Sequence, residues 1–211
     1  MSVTTDIYMM RRAIAAAMAN LGQTWPNPSV GCVIAKDDHI LGQAATAKGG
    51  RPHAEEQVLE ALGVAARGAT AYVTLEPCGA RSNGKTSCAE HLALAGISRV
   101  VIACEDPSPF ASGQGLERLR TAGLVAQTGL LADEARILCD GFVHRLTTGQ
   151  PLVEAADRSE TFDEQFAPAP GEPLIEALYR YCDLGYTWLW TPRGGPLAWE
   201  LSRQGLLKTR P

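Results

Sequence analysis

Three short apolar runs constrain the fold more than any other feature: "SVGCVIAK" (29–36), "TAYVTL" (70–75) and "RVVIAC" (99–104). Each reads as a strand, and Asp37-Asp38 turns the first into a second strand, "HILGQA" (39–44). Between these runs lie helical patterns. Val58, Leu59 and Leu62 form the apolar stripe of "RPHAEEQVLEAL" (51–62), a helix expected to run to about Ala66. Further helices are expected from about Thr86 to Ala95, over "GLERLRTAG" (115–123) and over "LADEARILCDGFVHRL" (131–146), with a strand at "LVAQTG" (124–129). Strands alternating with helices imply a mostly parallel sheet covered on both faces. In such a sheet, chemistry collects where strands end and helices begin. A chain of 211 residues holds one ordinary core plus an appendage.

Charge and cysteine usage narrow the function class. With 19 Lys+Arg against 23 Asp+Glu there is no chain-wide basic field, so no nucleic-acid partner is expected. No apolar run is long enough to span a bilayer, so no membrane partner is expected either. The Arg pair and Ala-rich run near the start imitate a signal peptide, but Met10, Ile14, Met18 and Leu21 recur at helical spacing. The expectation is an amphipathic first helix and a cytoplasmic protein. Six cysteines, Cys32, Cys78, Cys88, Cys104, Cys139 and Cys182, do not resemble a secreted disulfide framework. Some are then buried small hydrophobes and others candidate metal ligands.

His53 and Glu55 fall in the expected first turn of the 51–62 helix, where Pro52 suits the opening position. Alone the pair could be a solvated turn, with Glu55 favoured by the helix dipole. Cys78, just past strand 70–75, and Cys88, in the first turn of the next helix, change that balance. His53, Cys78 and Cys88 supply three soft ligands for one Zn²⁺ and leave the fourth tetrahedral position for water. Glu55 then has a purpose as the catalytic group that takes the water's proton and passes it to a substrate nitrogen. A closed structural site with Cys104 or His91 as fourth ligand is the alternative, but it leaves Glu55 without a role.

The His-x-Glu and Pro-Cys pattern resembles the zinc-dependent deaminases. The long loop between Cys78 and Cys88, carrying Gly84-Lys85-Thr86, resembles the deaminase domain of the bifunctional deaminase/reductase family of riboflavin biosynthesis. "DIYMMRRAIAAA" (6–17), "NPSVGCVI" (27–34), "GATAYVTLEPC" (68–78) and "DPSPFASGQGLERLRTAGL" (106–124) resemble other segments of that family. The resemblance implies a three-layer α/β/α cytidine deaminase-like sandwich with a mixed, mostly parallel central sheet over residues 1–150. It implies hydrolytic removal of an amino group from a phosphorylated aminopyrimidine. It also points to Asn27 for base recognition and to Asp106 as a contact to the ribose. Lys48, Arg51, Arg81 and Lys85 flank the expected zinc ligands and form a local basic cluster suited to a substrate phosphate.

The chain departs from the family at the pocket wall. Gly79-Ala80 stands where the family has Ser-His, Thr86-Ser87-Cys88 replaces Thr-Pro-Pro-Cys, and Thr46 stands in place of an upstream histidine. These changes leave open another small pyrimidine, purine base or nucleoside as substrate; the shortened tail leaves open a non-catalytic zinc-stabilised scaffold, against which the intact His53, Glu55, Cys78 and Cys88 set speaks.

Residues 151–173 are acidic and rich in Pro and Ala, and read as a linker. Residues 174–211, with Tyr186-Thr187-Trp188-Leu189-Trp190, Gly194-Gly195 and a final amphipathic helix, resemble a short remnant of the reductase domain. One Gly-Gly turn without a full strand-helix array is not expected to bind NADPH. The remnant is expected to pack Trp188, Trp190 and Trp199 on the body or on a second subunit. A homo-oligomer and a separate reductase partner both stay open.

Overall fold

In a computed structural model, which describes residues 2–81 and 84–208, the expected strands pair around a centre set by their apolar character. Helix α1 (Val3–Met18) precedes β1 (Gly31–Lys36) and β2 (His39–Ala45), which form a hairpin. Asp37 and Asp38 both have positive φ (49° and 64°), the conformation that a two-residue turn between twisted strands requires. Helix α2 (Ala54–Leu62) leads to β3 (Thr70–Leu75), then α3 (Cys88–Leu94), β4 (Arg99–Cys104), α4 (Gln114–Thr121) and β5 (Val125–Thr128). The expected 131–146 helix is broken into α5 (Ala132–Arg136), a 3-10 turn at Ile137–Cys139 and α6 (Asp140–Thr148). Residues 82–83, within the loop read as Gly/Ser/Asn-rich, and 209–211 of the tail lie outside the described residues.

The strand order is β2-β1-β3-β4-β5. The sheet is mixed: β1 pairs antiparallel with both β2 and β3, whereas β3, β4 and β5 run parallel. Alternate residues of each strand enter different cores, as a period of two dictates. Cys32, Ile34, Ala71, Val73, Val100 and Ile102 pack with α2, α3 and α4. Val33, Ala35, Tyr72, Val101 and Ala103 pack with α1 and the α5 region. These are the three layers.

The apolar face of α1 is Met9, Met10, Ala13 and Ala17, and Met18 is exposed. The shift from the expected stripe has a steric cause. A Cβ on Gly31 would lie 1.9 Å from the Ala13 carbonyl oxygen, so helix and strand meet where both residues are small. Asp6 fixes the other end of this contact. Its carboxylate accepts from Arg99 at 2.8 and 2.7 Å and from the Tyr72 hydroxyl at 2.6 Å, tying α1 to β3 and β4.

The segment read as a linker requires correction. It contains β6 (Leu152–Ala156) and β7 (Glu164–Gln165), which flank β8 (Trp188–Pro192) in an all-parallel second sheet of order β6-β8-β7. Helices α7 (Leu174–Asp183) and α8 (Pro196–Arg203) complete this unit. Its core unites Val153 and Phe166 with Leu178, Tyr181, Leu189 and Leu201. Local composition hides this arrangement because the partners of Val153 and Phe166 lie some way along the chain. Asp163, in the same stretch, accepts from the Thr187 N–H (2.7 Å), the Thr187 hydroxyl (2.8 Å) and the Trp188 N–H (2.9 Å), fixing the start of β8.

The tail packs on the body, though not through all three tryptophans. Trp188 is buried beside Leu21 and Leu152, and Gly141 of α6 approaches it so closely that a Cβ there would lie 2.6 Å from the Trp188 Cβ. The Trp25 and Tyr186 rings meet in a tilted contact, with centroids 4.4 Å apart and planes at 41°. Trp190 is half-buried, and Trp199 stays 73% exposed on α8. Among the described residues, no helix is long and apolar enough to cross a membrane.

The Asp6–Arg99 pair yields a stability prediction. The Arg99 hydrogen bonds hold the Asp6 carboxyl below its ordinary pKa, against the opposing effect of burial. Its stabilisation is therefore present above the unfolded value of about 4 and lost as pH falls through the lower folded value. Replacing Arg99 by Leu leaves Asp6 buried with only Tyr72, and should cost about 3 kcal/mol at neutral pH by urea unfolding. The difference from the parent chain should shrink as the pH is lowered below about 4.

Candidate active site

The site forms at the ends of β2 and β3, where the chain leaves the sheet for α2 and α3. His53 is the N-cap of α2 in an extended conformation (φ −70°, ψ 160°), so the helix begins at Ala54 and Pro52 lies just outside it. This two-residue difference from expectation places His53 at the cap rather than inside the first turn. Its backbone N–H donates to Glu56 Oε2 at 2.9 Å, which fixes the turn. Cys78 follows β3 after Glu76-Pro77. Cys88 is the first residue of α3, whose N-cap Ser87 and Glu90 bond reciprocally at 3.3 and 2.9 Å.

His53 Nδ1 lies 3.3 Å from Cys88 Sγ and 4.0 Å from Cys78 Sγ, and the three donor atoms fall within 4.8 Å of one another. Tetrahedral zinc, with bonds of about 2.1 Å to nitrogen and about 2.3 Å to sulfur, needs N–S separations of about 3.6 Å. The two separations bracket that value, so the donor set fits a zinc ion. Among the described residues neither Cys104 nor His91 joins the group. Cys104 Sγ instead donates to the Ala132 carbonyl at 3.3 Å.

The electrostatics favour a thiolate here. The hydrogen bond from Cys88 draws the Cys78 pKa down to about 3, with His53 and the Cys88 backbone N–H adding to the effect. The same hydrogen bond, together with burial, pushes Cys88 up. Arg81, its side chain only 3% exposed, donates to Cys88 Sγ at 3.4 Å and to Glu56 Oε1 at 2.8 Å. Burial would raise Glu56, but Arg81 and the His53 N–H outweigh it and hold the carboxyl at about 2. Arg81, expected as a phosphate contact, is thus committed to a carboxylate and a ligand sulfur.

Glu55, 3% exposed, lies beside this group. Burial raises its pKa, the Cys78 thiolate adds to the rise, and His53 opposes it. Above it opens a cavity of about 310 Å³ whose wall includes His53, Glu55 and Cys78. Asn27 lines the cavity, and its Nδ2 donates to the Gly50 carbonyl at 2.9 Å. Arg51 and Asp106 also line it. Asp106 is buried, which raises its pKa, and its Oδ1 accepts from the Ser108 N–H at 2.8 Å. Lys48 and Lys85 do not reach the lining. Both are exposed in flanking loops, because proximity in sequence to a ligand does not set the direction of a loop side chain. Thr46 and Ala80 are in the wall, and the Thr46 hydroxyl accepts from the Val30 N–H at 3.0 Å.

Several lining residues had gone unrecognised in the sequence. Glu76 is buried and accepts from the Leu116 N–H at 3.1 Å and the Gly113 N–H at 3.2 Å. Phe142, Arg145 and Leu146 reach the cavity from α6. Their spacing marks one helical face, but only the packing of α6 shows what that face meets.

Arg81 provides a test that leaves every donor atom in place. Its replacement by Met removes the support of Glu56 and the contact to Cys88, and should weaken zinc binding about 10–100-fold in competition with a chromophoric chelator.

Comparison with known proteins agrees with this geometry. Residues 3–104 match the cytidine and deoxycytidylate deaminase zinc-binding region. The chain is 44% identical over 168 residues to the riboflavin biosynthesis protein RibD of Escherichia coli, covering 79% of this chain and 45% of that one. It thus spans about half the length of that curated relative. It is also 44% identical over 147 residues to the diaminohydroxyphosphoribosylamino-pyrimidine deaminase of Buchnera aphidicola, covering 69% of this chain and 99% of that protein. The structure of RibD from Acinetobacter baumannii superposes with a TM-score of 0.70 at 28% identity, covering 98% of this chain and 81% of the other. The near-complete match to a relative that consists of the deaminase alone, together with the zinc-region match, decides the family: the chain belongs to the zinc-binding deaminases of riboflavin biosynthesis.

Proposed function

We propose that the chain deaminates diaminohydroxyphosphoribosylaminopyrimidine hydrolytically, exchanging a ring amino group for a carbonyl oxygen and releasing ammonia. The observation that carries this reading is Glu55, buried beside the His53–Cys78–Cys88 group at a cavity of substrate size. In this reading His53, Cys78 and Cys88 hold one zinc ion per chain. When bound, zinc supplies positive charge that makes a water acidic enough to act as nucleophile near neutral pH.

The protein's own groups perform the proton transfers. Glu55 accepts one proton from the attacking water and delivers it to the ring nitrogen next to the amine-bearing carbon; it then takes the second proton from the hydroxyl now on that carbon and gives it to the amine, so that the C–N bond breaks, ammonia leaves and the carbonyl forms. Its burial raises its proton affinity, which suits a group that must hold a proton between transfers. Asn27 Oδ1 accepts from a donor on the pyrimidine edge, while its own amide is fixed by Gly50. Asp106, held by Ser108, faces the cavity as an acceptor for ribose hydroxyls. Arg51, at an exposed part of the lining, is a cation available to the phosphate.

A second reading keeps the chemistry and changes the substrate to another small pyrimidine, purine base or nucleoside. It is favoured by Thr46 and Ala80, which stand in the cavity wall. Ammonia release from each candidate substrate separates the two. Replacing Glu55 by Gln should lower turnover by about 10²–10⁴-fold while zinc content, measured by atomic emission, stays at one per chain. Equal turnover in parent and variant would remove Glu55 from the mechanism, and absence of turnover in the parent on every candidate would favour a scaffold.

The domain reading places the deaminase in residues 1–150 and gives the second sheet no dinucleotide site. Its three strands, with Gly194-Gly195 before α8, fall short of the strand array that such a site uses. Titration with NADPH followed by nicotinamide fluorescence should show no saturable binding, and saturation in the micromolar range would reject this part of the reading.

A further inference from the structure

Helix α6 brings one cation, Arg145, to the cavity wall. Phe142, Arg145 and Leu146 occupy positions i, i+3 and i+4 of that helix and line the cavity together. Of the three arginines in the lining, Arg81 is already paired with Glu56, and Arg51 is exposed on a loop. Arg145 differs from both. It is half-buried, and among the described residues it forms no ion pair.

What holds it comes from the tail. Arg145 Nε donates to Cys182 Sγ at 3.3 Å, and one terminal nitrogen donates to the Cys182 carbonyl at 3.1 Å. Cys182 lies in the last turn of α7, and its carbonyl, which also accepts from the Gly185 N–H at 2.9 Å, stands at the helix end that attracts a cation. These contacts use one edge of the guanidinium and fix its plane. The other terminal nitrogen, with its two N–H groups, has no hydrogen-bond partner among the described residues. A cation oriented in this way, which Asp163 reaches only through space while its carboxylate accepts from Thr187 and Trp188, suits a phosphate monoester better than a mobile surface lysine does.

We propose that Arg145, oriented by Cys182 of the C-terminal unit, binds the substrate's phosphate and makes the site select the phosphorylated compound over its nucleoside. This rests on the deaminase reading given above and identifies a residue for its substrate class. Phosphate recognition then depends on the second sheet and its helices, which present Cys182, as well as on the loops around the metal ligands.

The test uses the full, zinc-loaded chain and the variants Arg145→Gln and Arg145→Lys, with two readouts. The first is the ratio of kcat/KM for diaminohydroxyphosphoribosylaminopyrimidine to that for the dephosphorylated nucleoside. The glutamine variant should lower this ratio about 10–100-fold, as expected for loss of a charge-assisted contact, chiefly through KM for the phosphorylated compound. The lysine variant, which keeps the charge but not the planar fork, should recover part of the ratio. The second readout is calorimetric binding of ribose phosphate, which needs no turnover. The parent chain should bind it, and the glutamine variant should bind it at least about tenfold more weakly. A ratio unchanged in the glutamine variant, or equal losses on both compounds, overturns the proposal. If the parent turns over neither compound, the deaminase reading fails, and calorimetry alone decides Arg145. Binding lost in the glutamine variant then supports an anion site, and equal or absent binding rejects it.

Discussion

One buried carboxylate organises the functional end of this fold. Glu76 directly follows β3, and its own N–H donates to the Cys104 carbonyl at 2.8 Å, continuing the pairing of β3 with β4. Its side chain accepts from the N–H groups of Leu116 and Gly113, with a longer contact of 3.5 Å from Asp106. A carboxylate desolvated without a cation is costly unless backbone donors surround it, and the first turn of α4 provides them. Four segments thereby converge: the end of β3 with Cys78, the end of β4, the Asp106 loop and the start of α4. Gly115 reflects how tight that convergence is, since a Cβ there would lie 1.9 Å from the Pro77 carbonyl oxygen.

The ligand group is held by a second set of polar contacts with a different logic. Glu56 grips the His53 backbone and is itself gripped by Arg81, which also touches Cys88 Sγ. One guanidinium therefore couples the N-terminus of α2 to that of α3 and brings positive charge to a ligand sulfur. Outer contacts of this kind orient the donors before a metal arrives, so little rearrangement accompanies binding. On the opposite wall, Cys182 orients Arg145 in the same manner. The two arginines differ in that Arg81 is hydrogen-bonded to a carboxylate, whereas the hydrogen bonds of Arg145 go to Cys182.

The second sheet shows how an appendage can contribute to such a site. Parallel strands need long connections, and here β6 and β8 are joined across β7 and α7. The same connections bring Trp188 against Gly141 and Cys182 against Arg145, so the unit that closes its own core also braces α6. Lys208, donating to Asp140 at 2.9 Å, adds a third tie at the start of that helix.

Local pattern was enough to read much of this architecture. The strands at 31–36, 70–75 and 99–104, the Asp37-Asp38 hairpin and the convergence of His53, Cys78 and Cys88 beside Glu55 were legible because each rests on short-range periodicity or on a ligand spacing with known chemistry. Contacts between distant segments were not legible. Glu76 resembles any polar residue after a strand until the α4 amides surround it. Lys48 and Lys85 resemble phosphate contacts until they are seen to fall outside the cavity lining, whereas Arg145 resembles a surface residue until α6 packs against the opening. The acidic stretch after residue 150 resembles a linker because the partners of Val153 and Phe166 lie in α7, β8 and α8. The sequence by itself determined which groups could perform the chemistry, since ligand softness and strand propensity are properties of residues. Only the tertiary structure decided which charges are already paired and which remain to meet a substrate, because neutralisation depends on distances that no local pattern encodes.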